Sequence, residues 1–134
     1  LISPEKDGNI PIERFCDVID EKTILVSCMA CNNEVGAIYP VEQIKSVIKQ
    51  KNSPALLHCD FVQGYGKYEL YPDRCGIDLM SVSAHKIHGP KGVGALYIKK
   101  GVRIAPQHPQ YASPDFLGGV RLRRQHRVHD QQIP

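Results

Sequence analysis

The sequence has no tryptophan and no long apolar run. No stretch approaches the roughly 20 apolar residues that a membrane-spanning helix needs, which excludes such a helix. The first residues include Glu5, Lys6 and Asp7 and lack the apolar centre of a secretory signal peptide. There is no initiator methionine, and the opening residues resemble the middle of a domain. We therefore expect an internal piece of a longer protein, without membrane association.

The cysteines form neither a disulfide framework nor a complete metal site. They are odd in number and scattered, at positions 16, 28, 31, 59 and 75, which argues against paired disulfides. Cys28 and Cys31 have the spacing of half a zinc site, but no second CxxC or spaced histidine pair completes it. Cys28 closes an apolar run, so we expect a buried thiol there. We also expect no bound metal and a reducing, cytoplasmic location.

Positive charge is concentrated at the end of the chain. The net charge of +3 arises from residues 121–134, because residues 1–120 contain 13 basic and 13 acidic residues. Four arginines in this last segment accompany a single acidic residue, Asp130. Such a run can bind nucleic acid or an anionic membrane, but a short terminal run is more often solvated. We therefore expect neither nucleic acid nor a membrane as a partner.

The hydrophobic pattern alternates between helical and strand-like segments. Helical spacing of apolar residues predicts helices over 10–19 and 40–51, and the second has Val41, Ile44 and Val47 on one face. Short apolar runs predict strands over 23–28, 55–59, 79–83 and 94–98. This alternation predicts an α/β fold with a mostly parallel sheet, covered by helices on both faces.

Two further features concern the end of this pattern. Ten residues separate the last two predicted strands, too few for a helical crossover, so this pair is predicted to be antiparallel. Residues 108–134 show no periodicity, and we expect an irregular or disordered basic tail after a domain over 1–107.

Lys86 lies in the segment with the clearest chemical signal. It follows Ser83 and His85, stands between two apolar runs, and precedes a loop rich in glycine and proline. An amine nucleophile must be held rigidly and kept partly dry, so that it is neutral often enough to attack a carbonyl. Glycines lack a Cβ and let the chain pass close to a cofactor. The pattern favours a lysine that forms a Schiff base; the alternative is a surface lysine in a hairpin turn.

Three motifs follow apolar runs in a characteristic order: NNEVG at 32–36, HCDFVQ at 58–63 and SAHK at 83–86. Together they resemble the cysteine desulfurases, which are pyridoxal-phosphate enzymes of the class V aminotransferase superfamily. The resemblance extends from Pro4 to Gln107. It implies that residues 1–107 are part of the large, cofactor-binding domain of a fold type I enzyme. It also implies a homodimer.

The resemblance implies a role for each of several residues. Lys86 matches the lysine that binds pyridoxal 5'-phosphate, and Asp60 matches the carboxylate that keeps the ring nitrogen protonated. The remaining matches are Gln63 and Asn33, amides near the phenolic oxygen and the substrate, and Ser83 and His85, donors to the phosphate. Asn32 is the alternative to Asn33, because the adjacent asparagines leave the register uncertain by one residue.

Each of these side chains also has a purely structural interpretation. Asp60 is then a helix N-cap, since aspartate after a strand commonly caps the next helix. The amides of Gln63 and Asn33 are then turn-forming groups. His85 is then a buried histidine paired with the backbone.

By resemblance the reaction converts L-cysteine to L-alanine and passes the sulfur on as a persulfide. A sulfur-acceptor or iron–sulfur scaffold protein is then the expected partner. The family nucleophile is a cysteine well downstream of the lysine, and no cysteine follows Cys75 here, so none is assigned. The alternatives are another class V enzyme, such as a selenocysteine lyase or an aminotransferase, and an inactive truncated product.

Overall fold

The computed structural model describes residues 1–105 and, by backbone alone, residues 121–124. Three helices are α1 (Ile12–Val18), α2 (Val41–Gln50) and α3 (Pro72–Cys75), and a 3-10 turn covers Ala84–Ile87. The strands are β1 (Leu25–Met29), β2 (Leu56–Asp60), β3 (Leu79–Ser83), β4 (Val93–Ile98) and β5 (Arg121–Arg124).

The five strands form one sheet in the order β1-β2-β3-β4-β5. Strands β1, β2 and β3 are parallel neighbours, with α2 in the first connection and α3 in the second. Strands β3 and β4 are antiparallel, because the short turn between them reverses the chain. The predicted α/β fold and the predicted antiparallel pair are therefore confirmed.

Strand β5 extends the sheet and lies within the segment for which we expected irregular structure. It pairs antiparallel with β4, so that Val93 lies opposite Arg124 and Leu96 opposite Arg121. The hydrophobic pattern did not predict this strand. The rest of the proposed tail, and with it the boundary at residue 107, lies outside the described residues.

The core lies on one face of the sheet. Alternate strand residues such as Val26, Leu57 and Cys59 point to this face and are buried against the helices. Helix α2 buries the predicted apolar face, including Ile44, which is fully buried. Burying a side chain of this size contributes about 1.5–3 kcal/mol. Apolar burial therefore explains the position of α2 on the sheet.

The opposite face of the sheet is open in the described residues. Leu25 is 50% exposed, Ser27 is exposed, and His58 and Ser81 are half-buried. The sequence predicted helices on both faces, whereas in residues 1–105 the alternation of burial places α1 and α2 on one face only. Polar residues of the strands consequently remain accessible from the open side.

Candidate functional site

The three sequence motifs lie at one end of the sheet, where the parallel strands terminate. Each follows one of the parallel strands β1, β2 and β3, and the carboxyl ends of parallel strands point the same way. Asp60 is the last residue of β2 and Ser83 the last residue of β3, while Asn33 follows β1 by a few residues. In open α/β sheets, ligands bind outside the carboxyl ends of the strands.

Asp60 is fixed by its neighbours on both sides. Its backbone carbonyl accepts a hydrogen bond from the Ala30 N–H at 2.9 Å, and it lies opposite Ser81 in the register with β3. Its side-chain Oδ1 accepts a hydrogen bond from the Val62 N–H at 2.9 Å. Within the described residues Oδ2 has no hydrogen-bond donor. The carboxylate therefore begins the turn that follows β2 and keeps one oxygen for a ligand.

Gln63 lies in the turn that follows Asp60 and is half-buried. Its carboxamide makes no hydrogen bond within residues 1–105. The turn is held by aromatic packing instead, with 5.1 Å between the ring centroids of Phe61 and Tyr68. Gly64 is required here, since a Cβ at this position would collide with a ring carbon of Phe61. The turn thus presents Gln63 on a rigid support.

The two adjacent asparagines have different environments. Asn32 Oδ1 accepts hydrogen bonds from the N–H groups of Glu34 at 2.8 Å and Val35 at 3.0 Å. Its Nδ2 donates to the hydroxyl of Tyr39 at 3.3 Å. The Asn33 carboxamide makes no hydrogen bond in the described part of the chain. Asn32 holds the turn, which favours Asn33 as the amide available to a ligand.

Ser83 and His85 form a side-chain pair. Ser83 Oγ lies 2.6 Å from His85 Nδ1. His85 is exposed and bonds to a hydroxyl, so the alternative of a buried histidine paired with the backbone is wrong. A hydroxyl and an imidazole held together at a strand end are suitable hydrogen-bond donors for an anion.

Lys86 occupies the 3-10 turn directly after β3 and is exposed in the described residues. The turn closes with a hydrogen bond from the Gly89 N–H to the Ala84 carbonyl at 2.9 Å, and His88 adopts a left-handed φ of 60°. A Cβ on Gly89 would lie 2.8 Å from Ala84 Cβ, so this close approach requires glycine. The expected position after a strand is correct. The expected partly dry environment is not provided by residues 1–105.

The buried cysteines are poor nucleophiles. Cys28 and Cys59 lie opposite each other in the β1–β2 register, and both are buried. Burial raises the pKa of the Cys28 thiol to about 11 and that of the Cys59 thiol to about 12. Burial also raises the pKa of Cys75. The predicted buried thiol at Cys28 is confirmed, and none of the three is activated for attack.

A polar pair on the open face was not predicted from the sequence. Ser27 Oγ lies 2.8 Å from Nδ1 of His58, the residue opposite it in the register. Burial lowers the pKa of His58, while the negative charge of Asp60 opposes this shift. The sequence signal for this pair is a polar residue at the middle of each of two apolar strands. The two residues can be recognised as a pair only once the register of the strands is known.

None of the helices within residues 1–105 combines the length and the apolar character that crossing a bilayer requires. No group of three or more histidine, cysteine or acidic side chains in residues 1–105 has an arrangement that holds a metal ion.

Known proteins resemble this chain in sequence and in structure. The chain is 46% identical over 118 residues to the mitosomal cysteine desulfurase of Trachipleistophora hominis, covering 88% of this chain and 25% of that protein. It is 44% identical over 100 residues to the cysteine desulfurase IscS of Rickettsia prowazekii, covering 75% of this chain and 24% of that protein. The chain thus spans about a quarter of the length of the curated relatives it matches.

The solved structure of a NifS-like protein superposes with a TM-score of 0.72 at 48% sequence identity. The match covers 76% of this chain and 28% of that structure. The family described as aminotransferase class-V matches residues 1–121, nearly the whole chain. The chain belongs to the aminotransferase class-V family.

Proposed function

We propose that this chain is the cofactor-binding part of a pyridoxal-phosphate-dependent cysteine desulfurase. The observation that carries the proposal is the meeting of the three motifs at the carboxyl edge of β1, β2 and β3. The relatives named above as cysteine desulfurases support cysteine as the substrate, and the family resemblance implies L-alanine as a product. Residues 1–107 are then part of the large domain, and β5 at Arg121–Arg124 extends the sheet of that domain.

The residues present fit the cofactor. Pyridoxal phosphate needs an amine, an acid at its ring nitrogen, a partner for its phenolic oxygen and donors for its phosphate. Lys86 supplies an accessible amine, and Asp60 a carboxylate with one oxygen that no group in residues 1–105 engages. Ser83 and His85 supply the phosphate donors. When bound, the cofactor supplies an electron sink for the α-carbon of the amino acid.

The chain's own residues then have distinct roles. Asp60 holds a proton on the ring nitrogen through its negative charge, and the hydrogen bond from Val62 keeps the carboxylate oriented. Gln63 and Asn33 orient the cofactor and the substrate through amide groups that are free of other hydrogen bonds in the described residues. Lys86 holds the cofactor covalently on a turn that the Gly89 hydrogen bond closes.

In this proposal the cysteine that takes sulfur from the substrate is not one of the buried cysteines. Cys28 and Cys59 are held on strands, and their raised pKa values disfavour the thiolate. Since the family resemblance places the nucleophilic cysteine well downstream of the lysine, we propose that a thiol outside the described residues takes the sulfur as a persulfide. A sulfur-acceptor or iron–sulfur scaffold protein then receives it. A homodimer is proposed from the family resemblance. The cytoplasmic location stays a prediction, since one relative is named mitosomal.

Covalent mapping tests the site. The full-length protein that carries these residues is mixed with pyridoxal 5'-phosphate, reduced with borohydride and digested, and the modified lysine is located by mass spectrometry. We expect the label on Lys86. The matched controls are the nearby Lys91, Lys99 and Lys100 in the same sample. Label on one of these with Lys86 unmodified would contradict the proposal.

Product analysis tests the reaction. With L-cysteine and a reductant, the full-length protein should form alanine and sulfide in equal amounts. A keto acid in place of alanine indicates an aminotransferase. A strong preference for selenocysteine over cysteine indicates a selenocysteine lyase. Failure to bind the cofactor at all indicates an inactive product.

A further inference from the structure

Ser27 and His58 form a pair that the proposed function does not use. Strand residues alternate between the two faces, and in β2 the buried positions are Leu57 and Cys59. His58 therefore points to the open face, as does Ser27 on β1, where Ser27 Oγ lies 2.8 Å from His58 Nδ1. The pair joins two strands at the middle of their parallel register.

The hydrogen bond fixes the imidazole. A histidine ring that is held at one nitrogen has a defined orientation, and its other nitrogen is directed accordingly. Nε2 of His58 makes no hydrogen bond within the described residues. It is therefore available to act on a neighbouring group of the open face.

The next residue of β2 on this face is Asp60. Because a strand rises about 3.3 Å per residue, two residues separate the backbone positions by about 6.6 Å. The groups that face His58 are Ser27 from β1, Leu79 and Ser81 from β3, and Asp60 on its own strand. Asp60 is the charged member of this set. A positive charge on the imidazole would therefore act most strongly on the Asp60 carboxylate, which is the group proposed to contact the ring nitrogen.

We propose that His58, held by Ser27, is a positioning residue that sets how much of the Asp60 charge acts on the ring nitrogen of pyridoxal phosphate, in full while the imidazole is neutral and in part once it is charged. This inference rests on the proposed function. A neutral imidazole leaves the Asp60 charge undivided, whereas an imidazolium offsets it. His58 acts through Asp60 and does not touch the cofactor.

The charge state of His58 follows from its surroundings. Burial lowers the pKa of His58 from its ordinary value of 6.5, and the Asp60 charge opposes this only in part. The ring is neutral at pH 7 and becomes charged on acidification. Once it forms, the imidazolium partly offsets the negative charge that Asp60 directs at the ring nitrogen, so the absorbance of the bound cofactor should change.

The test is a pH titration of the cofactor spectrum in the full-length holoenzyme, with thermal stability measured in parallel. Wild type should show an absorbance transition on the acid side of pH 6.5, because the pKa of His58 is lowered from that value. His58→Gln, which carries no titrating ring, should abolish the transition. Ser27→Ala should move its midpoint, because the imidazole loses the hydrogen bond between Nδ1 and the Ser27 hydroxyl.

Two further variants keep the test decisive. Leu79→Ala removes a neighbour of His58 on the same face and controls for packing; it should lower stability without moving the midpoint. His58→Asn replaces His58→Gln if the latter fails to fold. An unchanged acid transition in the folded His58 variants would overturn the inference while leaving the proposed function intact. Absence of cofactor on Lys86 in wild type would overturn both.

Discussion

Lys45 Nζ lies 2.6 Å from Oδ2 of Asp78, which is 5% exposed. The same carboxylate oxygen accepts a hydrogen bond from the Leu57 N–H at 2.9 Å, and Lys99 Nζ lies 3.8 Å from Oδ1. Asp78 thereby joins α2, β2 and the start of β3. This buried network fixes the strands whose carboxyl ends form the candidate site.

Replacing Asp78 should therefore lower the free energy of unfolding more than replacing Lys99, its more exposed partner. In Asp78→Asn the Lys45 ammonium loses its counter-ion in a largely buried position, and breaking such a pair costs about 3–5 kcal/mol. Lys99→Met is the matched control, because Lys99 is 40% exposed and its contact is longer; we expect a loss below about 1 kcal/mol. Thermal unfolding and amide exchange at Leu57 measure both. Equal losses in the two variants would contradict this assignment.

Replacing Asp60 should affect chemistry more than folding. Asp60→Asn keeps the side-chain volume and an oxygen that can accept the hydrogen bond from Val62. It removes the charge proposed to hold the ring nitrogen protonated, and electrostatic contributions of this kind are worth about 10²–10³ in rate. Alanine formation by the full-length protein is the measurement, with the exposed Asp17→Asn as control. Near-normal turnover in Asp60→Asn with retained cofactor would refute the role.

The two adjacent asparagines allow a matched pair of variants. Asn32→Ala removes the acceptor of two backbone hydrogen bonds, so we expect a stability loss of about 1–2 kcal/mol. Asn33→Ala should leave stability unchanged and weaken binding of the cofactor or of cysteine. Thermal unfolding and cofactor titration separate these effects. If only Asn32→Ala weakened binding, Asn32 and not Asn33 would be the amide that contacts the ligand.

Local patterns predicted helices α1 and α2 and strands β1 to β4, and non-local pairing determines β5 and the register of the sheet. Helix α2 was predictable because its apolar residues repeat with helical spacing. Strand β5 was not, because Arg121–Arg124 contains one apolar residue and takes its extended form by pairing with β4. The position of Asp60 at the end of a strand and that of Lys86 after a strand were predictable, but the Ser27–His58 bond depends on a register between distant segments.

Thiol accessibility should divide the five cysteines into two groups. The pKa of about 11 at Cys28 leaves less than about one thiolate in 10³ at pH 8, and Cys59 has fewer still. Cys16 and Cys31 are only partly buried. A disulfide reagent at pH 8 should therefore modify these two quickly, and the three buried cysteines only after unfolding. Mass spectrometry of the labelled peptides measures the rates. Rapid labelling of Cys59 in the folded protein would show that its strand opens.

The 134-residue chain by itself should not convert cysteine to alanine. Lys86 is exposed, although the chemistry favours a partly dry amine. Cys28 and Cys59 are fixed on strands, and reaction rates fall steeply when a reacting group is misplaced by even about 1 Å. Incubation with pyridoxal 5'-phosphate, cysteine and a reductant should give alanine and sulfide only at the rate of free cofactor. The full-length protein is the positive control. Sustained release of both products by the short chain, in equal amounts and over many turnovers, would show that residues 1–134 hold a complete site.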